Sequence, residues 1–424
     1  MLNANNAREL AYVVIIDAIE PILGSDNCEA AVVGGWKIMV RKGEFEAGDP
    51  AIYFEIDSKV DTSKAAFKFL EKYHGKIKTQ KYTFGGKNPG FYSQGLLMPA
   101  AAFNWKIESA QFAGGFSYLV DENGNQHIPD DKDTMFLTKQ LGVTYAVDDD
   151  NKRKAKSNPD ARINAALNRH PRIAKRWGKT IRKNKFLRIL FIAVFGRKHD
   201  VRNWPKWVVK TDEERIENMV WRLEDKTIHW FATEKVDGSS STFTMKRGKH
   251  FFSKNDYCVC SRNVNFDTPE KIEKCYYSSN IYLEMADKYD MENVLKDILD
   301  TNPDIDFVTI QGETYGEGVQ KKTYDLNGHD LAVFNLIFGY KNGEVKRFNP
   351  REMTDFLAKY NVPCVPIISE DYVLPDTVEE LRAYVNSEPS AIDNKIKEGI
   401  VFRTSDGTQS FKCVSPEFLI KFHA

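Results

Sequence analysis

Apolar and polar positions divide the chain of 424 residues into three stretches with different rhythms. Residues 1–145 carry short β-branched and aromatic runs broken by Gly, Pro, Asp and Asn: YVVIID at 12–17, AAVVGGWKIMVRKG at 30–43 and DPAIYFEIDSKV at 49–60. Such runs predict strands. Gly34-Gly35 inside the second predicts a bulge or a sharply coiled barrel strand. Short strands with turn signals between them favour a small closed barrel, OB-like as first choice, over a sandwich without a ligand site. Residues 205–424 alternate strands and helices instead. Strands are expected at IHWFATEK (228–235), SSTFTMKR (240–247), FVTIQGE (307–313), LAVFNLIFGY (331–340) and GIVFRT (399–404). Helices are expected over 268–300, with a break, and over 349–360 and 377–387. Asn349-Pro350 and Asp376-Thr377 supply start signals for the last two.

The middle stretch, 146–204, opens after the acidic turn VDDDN at 147–151. Ile163, Ala166, Leu167, Ile173 and Trp177 then fall at helical spacing. Charge changes the picture here. Lys+Arg and Asp+Glu both number 60, so the whole chain is neutral. Yet Asn151 to Trp207 holds 18 Lys+Arg against two acids, Asp160 and Asp200. A basic block in a neutral chain points to a segment facing phosphate, against the reading of a solvated helical insertion. The run FLRILFIAVF at 186–195 is expected to pack on a neighbouring domain; it contains an Arg and is too short to span a bilayer.

With 28% charged and 42% hydrophobic residues, histone-like and acidic disordered chains are excluded. The length suits two or three domains. The six cysteines, Cys28, Cys258, Cys260, Cys275, Cys364 and Cys413, form no CxxC pair, and Cys258 and Cys260 alternate as on one strand face. A disulfide framework and a structural zinc site are disfavoured, which fits a reducing compartment. MLNANNAREL lacks a basic stretch followed by an apolar one, so no signal peptide is expected. The expectation is a soluble cytoplasmic protein without a membrane partner. The predicted class is α+β, with an OB-like β-barrel over 1–145, a basic helical insertion over 146–204, and antiparallel sheets flanked by helices over 205–424.

Chemistry concentrates at Glu234-Lys235-Val236-Asp237-Gly238-Ser239. A lysine ending one strand, a turn with Asp and Gly, and a second strand present an amine at a mouth formed by backbone. A nucleophilic lysine must be deprotonated, so its pKa is expected to be depressed by burial or a neighbouring cation. A divalent metal held by Asp237 and other carboxylates would supply positive charge and neutralise a phosphate. Alone, K-x-D-G reads equally as a hairpin turn with a surface lysine. It is followed by Ser261-Arg262-Asn263, Gly312-Glu313, Phe334-Asn335, Glu398-Gly399-Ile400-Val401 and Phe411-Lys412, each in or beside an expected strand.

This ordered ladder resembles the covalent nucleotidyltransferases: ATP-dependent RNA and DNA ligases and messenger-RNA capping enzymes. WKIMVRKGEFEAGDPAIYFEIDSKV (36–60), YSQGLLMP (92–99) and KTDEERI (210–216) sharpen the likeness toward RNA ligases that carry an OB domain before the adenylyltransferase domain, the Deinococcus- and Naegleria-type nick-sealing enzymes. It covers nearly the whole chain except the basic segment.

The resemblance implies ATP and Mg²⁺ as cofactors, with Mn²⁺ as substitute, and a lysyl-AMP intermediate. Lys235 would attack the α-phosphorus and expel pyrophosphate. Asp237, Glu313 and Glu398 would converge near the metal, which keeps most of its waters, and Glu313 would alternatively hold a ribose hydroxyl. Arg262 would bind phosphate through its donor fork, and Asn263 the nucleotide or the acceptor end. Phe334 would stack on adenine, with core packing as its competitor; Val401 would cover the opposite face. Lys412 would stabilise charge developing on the α-phosphate, and Glu234 or its backbone would read the adenine edge. Where many relatives carry a second lysine two residues after Lys412, this chain has Val414; either Lys412 alone would serve, or another cation such as Lys210 or Arg215 would substitute.

AMP would then pass to a 5′-phosphate, and the adjacent 3′-hydroxyl would displace it. The implied partner is nicked duplex RNA or an RNA–DNA hybrid with RNA at the 3′-hydroxyl side, without an obligate protein partner. Trp36, Lys37, Arg41, Lys42, Ser93 and Gln94 on the barrel, with Lys210 and Arg215, are candidates to grip its backbone, or are structural. Two rivals stand beside this reading. A capping-type guanylyltransferase usually carries its OB domain after K-x-D-G. A catalytically inactive RNA-binding protein would not need Lys235, Asp237, Glu313, Glu398 and Lys412 together.

Overall fold

The computed structural model describes residues 1–3, 7–84, 90–110, 116–121, 126–127, 136–146, 167, 171–184, 187, 191, 204–210, 212–248, 253–267, 275, 277, 279–321 and 324–423. In the N-terminal part, Ala11–Ile15, Pro50–Phe54 and Leu96–Met98 form one antiparallel sheet, and Ala18–Pro21, Cys28–Val33 and Trp36–Arg41 another. Alternation sets the inside: Trp36, Ile38 and Val40 are buried, and they pack with Tyr12, Ala31 and Tyr53. Gly34-Gly35 does not make a bulge. It is a two-residue hairpin, with Val33 opposite Trp36 and Gly34 at φ +54°, a conformation that suits glycine.

Of the basic stretch, the helix Pro171–Lys183 is described, with Leu167 buried and Trp177 53% exposed. Ile163, Ala166 and the run 186–195, apart from 187 and 191, lie outside the described residues.

The C-terminal part is two antiparallel sheets. One runs in the order Ile367–Tyr372, Trp230–Lys235, Gly399–Thr404, Ser410–Val414. The other runs Asp256–Ser261, Ser239–Lys246, Ile305–Gly316, His329–Tyr340, Val345–Arg347. Apolar side chains of the larger sheet, Phe243, Val308, Ile310 and Phe338 among them, bury against Ile281–Lys288, Met291–Thr301 and Pro350–Ala358. The break expected within 268–300 falls between the first two of these helices, at Asp290, whose φ is +48°; 268–274, 276 and 278 lie outside the described residues. Asn280 starts the first by accepting from the Leu283 amide at 3.2 Å. Asn349 and Thr377 both head capping boxes. Among the described residues no helix is long and apolar enough to cross a membrane, and none of the six cysteines forms a disulfide, Cys258 and Cys260 both being buried on one strand.

Candidate active site

The K-x-D-G residues are the crossing point between the sheets. Trp230–Lys235 ends one strand of the smaller sheet, and Ser239–Lys246 begins a strand of the larger. Gly238 is required there: a Cβ would lie 2.4 Å from the Thr314 carbonyl oxygen. Strand alternation then sorts the smaller sheet. Trp230, Ala232, Ile400, Phe402, Phe411 and Cys413 are fully buried on one face, against Val378–Ser387. Pairings put Lys235 opposite Gly399, Thr233 opposite Val401, and Val401 opposite Lys412 on the other face. Lys235, Val401 and Lys412 therefore share one surface.

On that surface Lys235 Nζ stands 2.7 Å from Glu398 Oε2, both largely enclosed. Glu313 and Asp237 bear on the same lysine electrostatically. Burial opposes the charge on Lys235, but Glu398, Glu313 and Asp237 outweigh it and raise its pKa above the ordinary lysine value. The expected depression is corrected: without a counter-cation, three carboxylates hold the proton on the amine. Burial, with Glu398 and Asp237 adding, pushes Glu313 up to about 8, against the pull of Lys235. His423 Nε2, at the end of Pro416–His423, lies 3.5 Å from Asp237 Oδ1. The Tyr324 hydroxyl accepts from the Asp237 amide at 2.9 Å and fixes the turn.

Among the described residues no three His, Cys, Asp or Glu side chains are already arranged to hold a metal ion. The donor set nevertheless fits a hard divalent cation. Asp237 Oδ2 is buried with no hydrogen-bond partner, and three carboxylates outnumber the one lysine between them.

The base-side residues divide. Phe334 is the extra residue of a bulge, since Gln311 pairs with Asn335 but Gly312 with Val333. The bulge re-aims its half-buried ring toward Val236, Tyr315, Tyr324 and Val365. Glu234 does not offer its carboxylate to a ligand. It is 2% exposed and accepts from the Ser390 hydroxyl and, at 2.8 Å, from the Ala391 amide, so it anchors the 390–391 loop. Arg262 and Lys412 are both ion-paired with one carboxylate, Asp212, at 2.8 and 2.9 Å. Asn263 accepts from Lys210 Nζ at 3.1 Å. Burial lowers the Lys412 pKa to about 8, although Asp212 opposes the shift. Arg215 stands beside Lys412 in a backbone bridge; its Nη1 is buried without a partner. Val414 is 1% exposed in the apolar cluster of Trp36, Tyr53 and Leu419, where a lysine would be desolvated.

Barrel candidates fare differently. The Trp36 ring is 1% exposed, with Nε1 donating to Asn218 Oδ1 at 2.7 Å. Lys37 pairs with Glu20 and Glu379 at 2.8 and 3.1 Å. Ser93 is buried and accepts from the Met39 amide at 3.0 Å; Gln94 accepts from Arg382 at 2.6 Å, and Arg382 also pairs with buried Glu217. Gly35 docks against residue 217, where a Cβ would meet the Glu217 Cα at 2.7 Å. Trp36, Lys37 and Gln94 are thus mortar between barrel and transferase sheets and Ser93 is internal to the barrel, rather than a surface for a duplex. Arg41 and Lys42 are exposed.

Sequence reasoning missed Asp212, Arg8, Tyr324 and His423. Only Asp212 had a signal, the run of three acids between Lys210 and Arg215 in KTDEERI.

Residues 228–423 match the RNA ligase family model, and residues 10–100 match a model of an OB-fold domain. The C-terminal domain is an RNA ligase domain. The RNA ligase likeness extends over the whole chain in shape. Naegleria gruberi RNA ligase solved with PPi is 24% identical, with a TM-score of 0.65, over 98% of this chain and 99% of that one. A variant of that enzyme with ATP and Mn gives 24% and 0.65 over 98% and 100%, and another with AMP and Mn gives 23% and 0.63 over 98% and 99%. At such identity these establish a shared fold: an N-terminal OB fold ahead of a nucleotidyltransferase domain. No curated protein sequence matches the chain.

Proposed function

We propose that the chain is an ATP-dependent RNA ligase that joins a 3′-hydroxyl to a 5′-phosphate through a lysyl-AMP at Lys235. One observation carries this. In an RNA ligase domain, the K-x-D-G lysine lies 2.7 Å from Glu398 and shares its sheet face with Lys412. The neighbours' ligands, ATP, AMP, PPi and Mn, agree with the choice of nucleotide and with a divalent ion.

Asp237, Glu313 and Glu398 would hold Mg²⁺ or Mn²⁺, which neutralises carboxylate and phosphate charge when bound. Once deprotonated, Lys235 Nζ forms a bond to the α-phosphorus of ATP while the bond to the bridging oxygen breaks, and pyrophosphate leaves with that electron pair. Lys412 and Arg262 stabilise the charge that grows on the phosphoryl oxygens, with Arg215 as the further cation where Val414 replaces a lysine. Phe334 and Val401 sandwich the base. Glu234 keeps the 390–391 loop in place beside it. A 5′-phosphate oxygen then takes AMP from Lys235, and the neighbouring 3′-hydroxyl displaces AMP to form the phosphodiester. The break is a nick in duplex RNA or an RNA–DNA hybrid, with RNA on the 3′-hydroxyl side. Arg41 and Lys42 remain as backbone contacts on the barrel.

Intact-protein mass after incubation with ATP and Mg²⁺, beside GTP and a Lys235→Ala variant, tests the first step. One AMP added with ATP only, and lost in the variant, is the expected result; a GMP adduct would move the reading to capping chemistry. Nicked duplexes with ribose or deoxyribose at the 3′ end then test the substrate.

A further inference from the structure

Residues 212–216, with Lys210 ahead of them, form a strap whose charges reach several separate elements. Lys210 meets Asn263, Glu213 pairs with Arg403 at 3.1 Å, and Glu214 accepts from Asn218 at 3.0 Å. Asp212 is the centre. Its Oδ1 lies 2.9 Å from Lys412 Nζ; its Oδ2 lies 2.8 Å from Arg262 Nη2 and 3.5 Å from Arg8 Nη2. The three cations come from the strand Ser410–Val414, the turn after Asp256–Ser261, and the N-terminal arm ahead of Ala11–Ile15.

Cations brought together in an enclosed place repel and splay unless an anion gathers them. One carboxylate, Asp212, touches all three; Arg8 Nη1 is held besides by Glu55 at 3.2 Å and Glu214 at 3.7 Å, so the charge left uncompensated lies on the Lys412 and Arg262 side, where a phosphate oxygen can be met. Lys412, Arg8 and Asp212 are each 12–14% exposed, whereas Arg262 is 61% exposed, so the group is closed on one side and open on the other. An anion can enter from the open side without removing Asp212.

We propose that Asp212 is a positioning residue for phosphoryl transfer: it gathers Lys412, Arg262 and Arg8 into one phosphate-facing group, so that the N-terminal arm contributes a cation to the transferase site. This rests on the ligase reading above. The neighbours of Lys412 pull in opposite directions. Burial, Arg8, Arg215 and Lys235 lower its pKa to about 8, and Asp212 raises it. Arg215 and Asp212 lie on the strap, Arg8 on the arm and Lys235 on the Trp230–Lys235 strand; Arg262 faces Asp212 from the larger sheet.

Single-turnover formation of lysyl-AMP as a function of pH distinguishes positioning from scaffolding, using the full chain with ATP and Mg²⁺. Neutralising Asp212 removes the charge that raises Lys412, so Asp212→Asn should move the alkaline limb down by about one pH unit and slow adenylation roughly fivefold at pH 8. Asp212→Glu should restore most of both. Arg8→Gln removes a repelling cation and should move the limb up. Thermal unfolding of each variant, read alongside, keeps a folding defect apart from a catalytic one; Arg8→Gln and Asp212→Glu carry the test if Asp212→Asn does not fold. Limbs that stay in place, or that move the same way in Asp212→Asn and Arg8→Gln, overturn the proposal. Absence of any adduct in the unsubstituted protein would instead overturn the ligase reading on which it rests, and this proposal with it.

Discussion

The two faces of the four-stranded sheet are built from the same backbone and serve opposite ends. One side, with Trp230, Ala232, Ile400, Phe402, Phe411 and Cys413, excludes water completely. Its alternate residues, Thr233, Lys235, Val401, Arg403 and Lys412, face the strap and the second sheet and carry the charge. The buried face makes the strands rigid, so that the charged face can hold like and unlike charges a few ångströms apart. A sheet is well suited to this because successive side chains cannot share a face.

Substitutions on the two faces should therefore separate activity from stability. On the charged side, Lys235→Met should abolish the AMP adduct, a loss of roughly a thousandfold or more, while the melting temperature falls little once Mg²⁺ is present to neutralise the three carboxylates left without their cation. On the apolar side, Phe402→Ala should cost about 3–5 kcal/mol, because the cavity lies between Tyr372 and Phe411 where the sheet cannot collapse. Urea unfolding followed by tryptophan fluorescence reads the second, and intact mass the first. A Lys235→Met protein that melts like Phe402→Ala would break the comparison.

How much of this was legible in the sequence follows from the same geometry. The motif ladder sits at strand ends and on strands whose β-branched runs are unmistakable, so Lys235, Glu313, Glu398 and Lys412 could be placed in order before any coordinates. GIVFRT emerged as a strand with both ends correct. Asp212 could not be seen, because its partners Lys412 and Arg262 are 200 and 50 residues away. The bulge at Phe334 and the break at Asp290 depend on single backbone conformations. Trp36 and Gln94 look like ligand-facing residues from their chemistry alone. Docking of one domain on another buried them, and composition does not record docking.

Charge on the catalytic face should also make itself felt in stability, with a sign that burial dictates. Glu313 is pushed up to about 8 from an ordinary value near 4.5. Between those values the folded chain keeps a proton that the unfolded chain has lost, so this group makes the protein less stable as pH rises through that window. In metal-free buffer, Glu313→Gln should be more stable than the parent at pH 8.5 by on the order of 1 kcal/mol, and about equal at pH 5. Added Mg²⁺ should narrow the gap at pH 8.5. Equal pH dependence of the two proteins would mean that the carboxylates are not crowded as described.

The smallest effect concerns the barrel, where exposed cations and interface cations of the same type stand on one hairpin. Lys37 is spent on Glu20 and Glu379, whereas Arg41 and Lys42 face solvent. If the barrel contributes backbone contacts to RNA through this hairpin, then of these three cations the last two are the ones available to release counterions. An Arg41→Ala/Lys42→Ala double variant should bind a nicked duplex several-fold more weakly, with the slope of log affinity against log salt shallower by about 2. Lys37→Ala should leave that slope unchanged and loosen the barrel against the transferase sheets by about 1 kcal/mol or less, as for a partly exposed ion pair. A slope that responds to Lys37 but not to Arg41 and Lys42 would mean that the barrel swings away from the transferase domain to meet RNA, exposing the surface that is packed here.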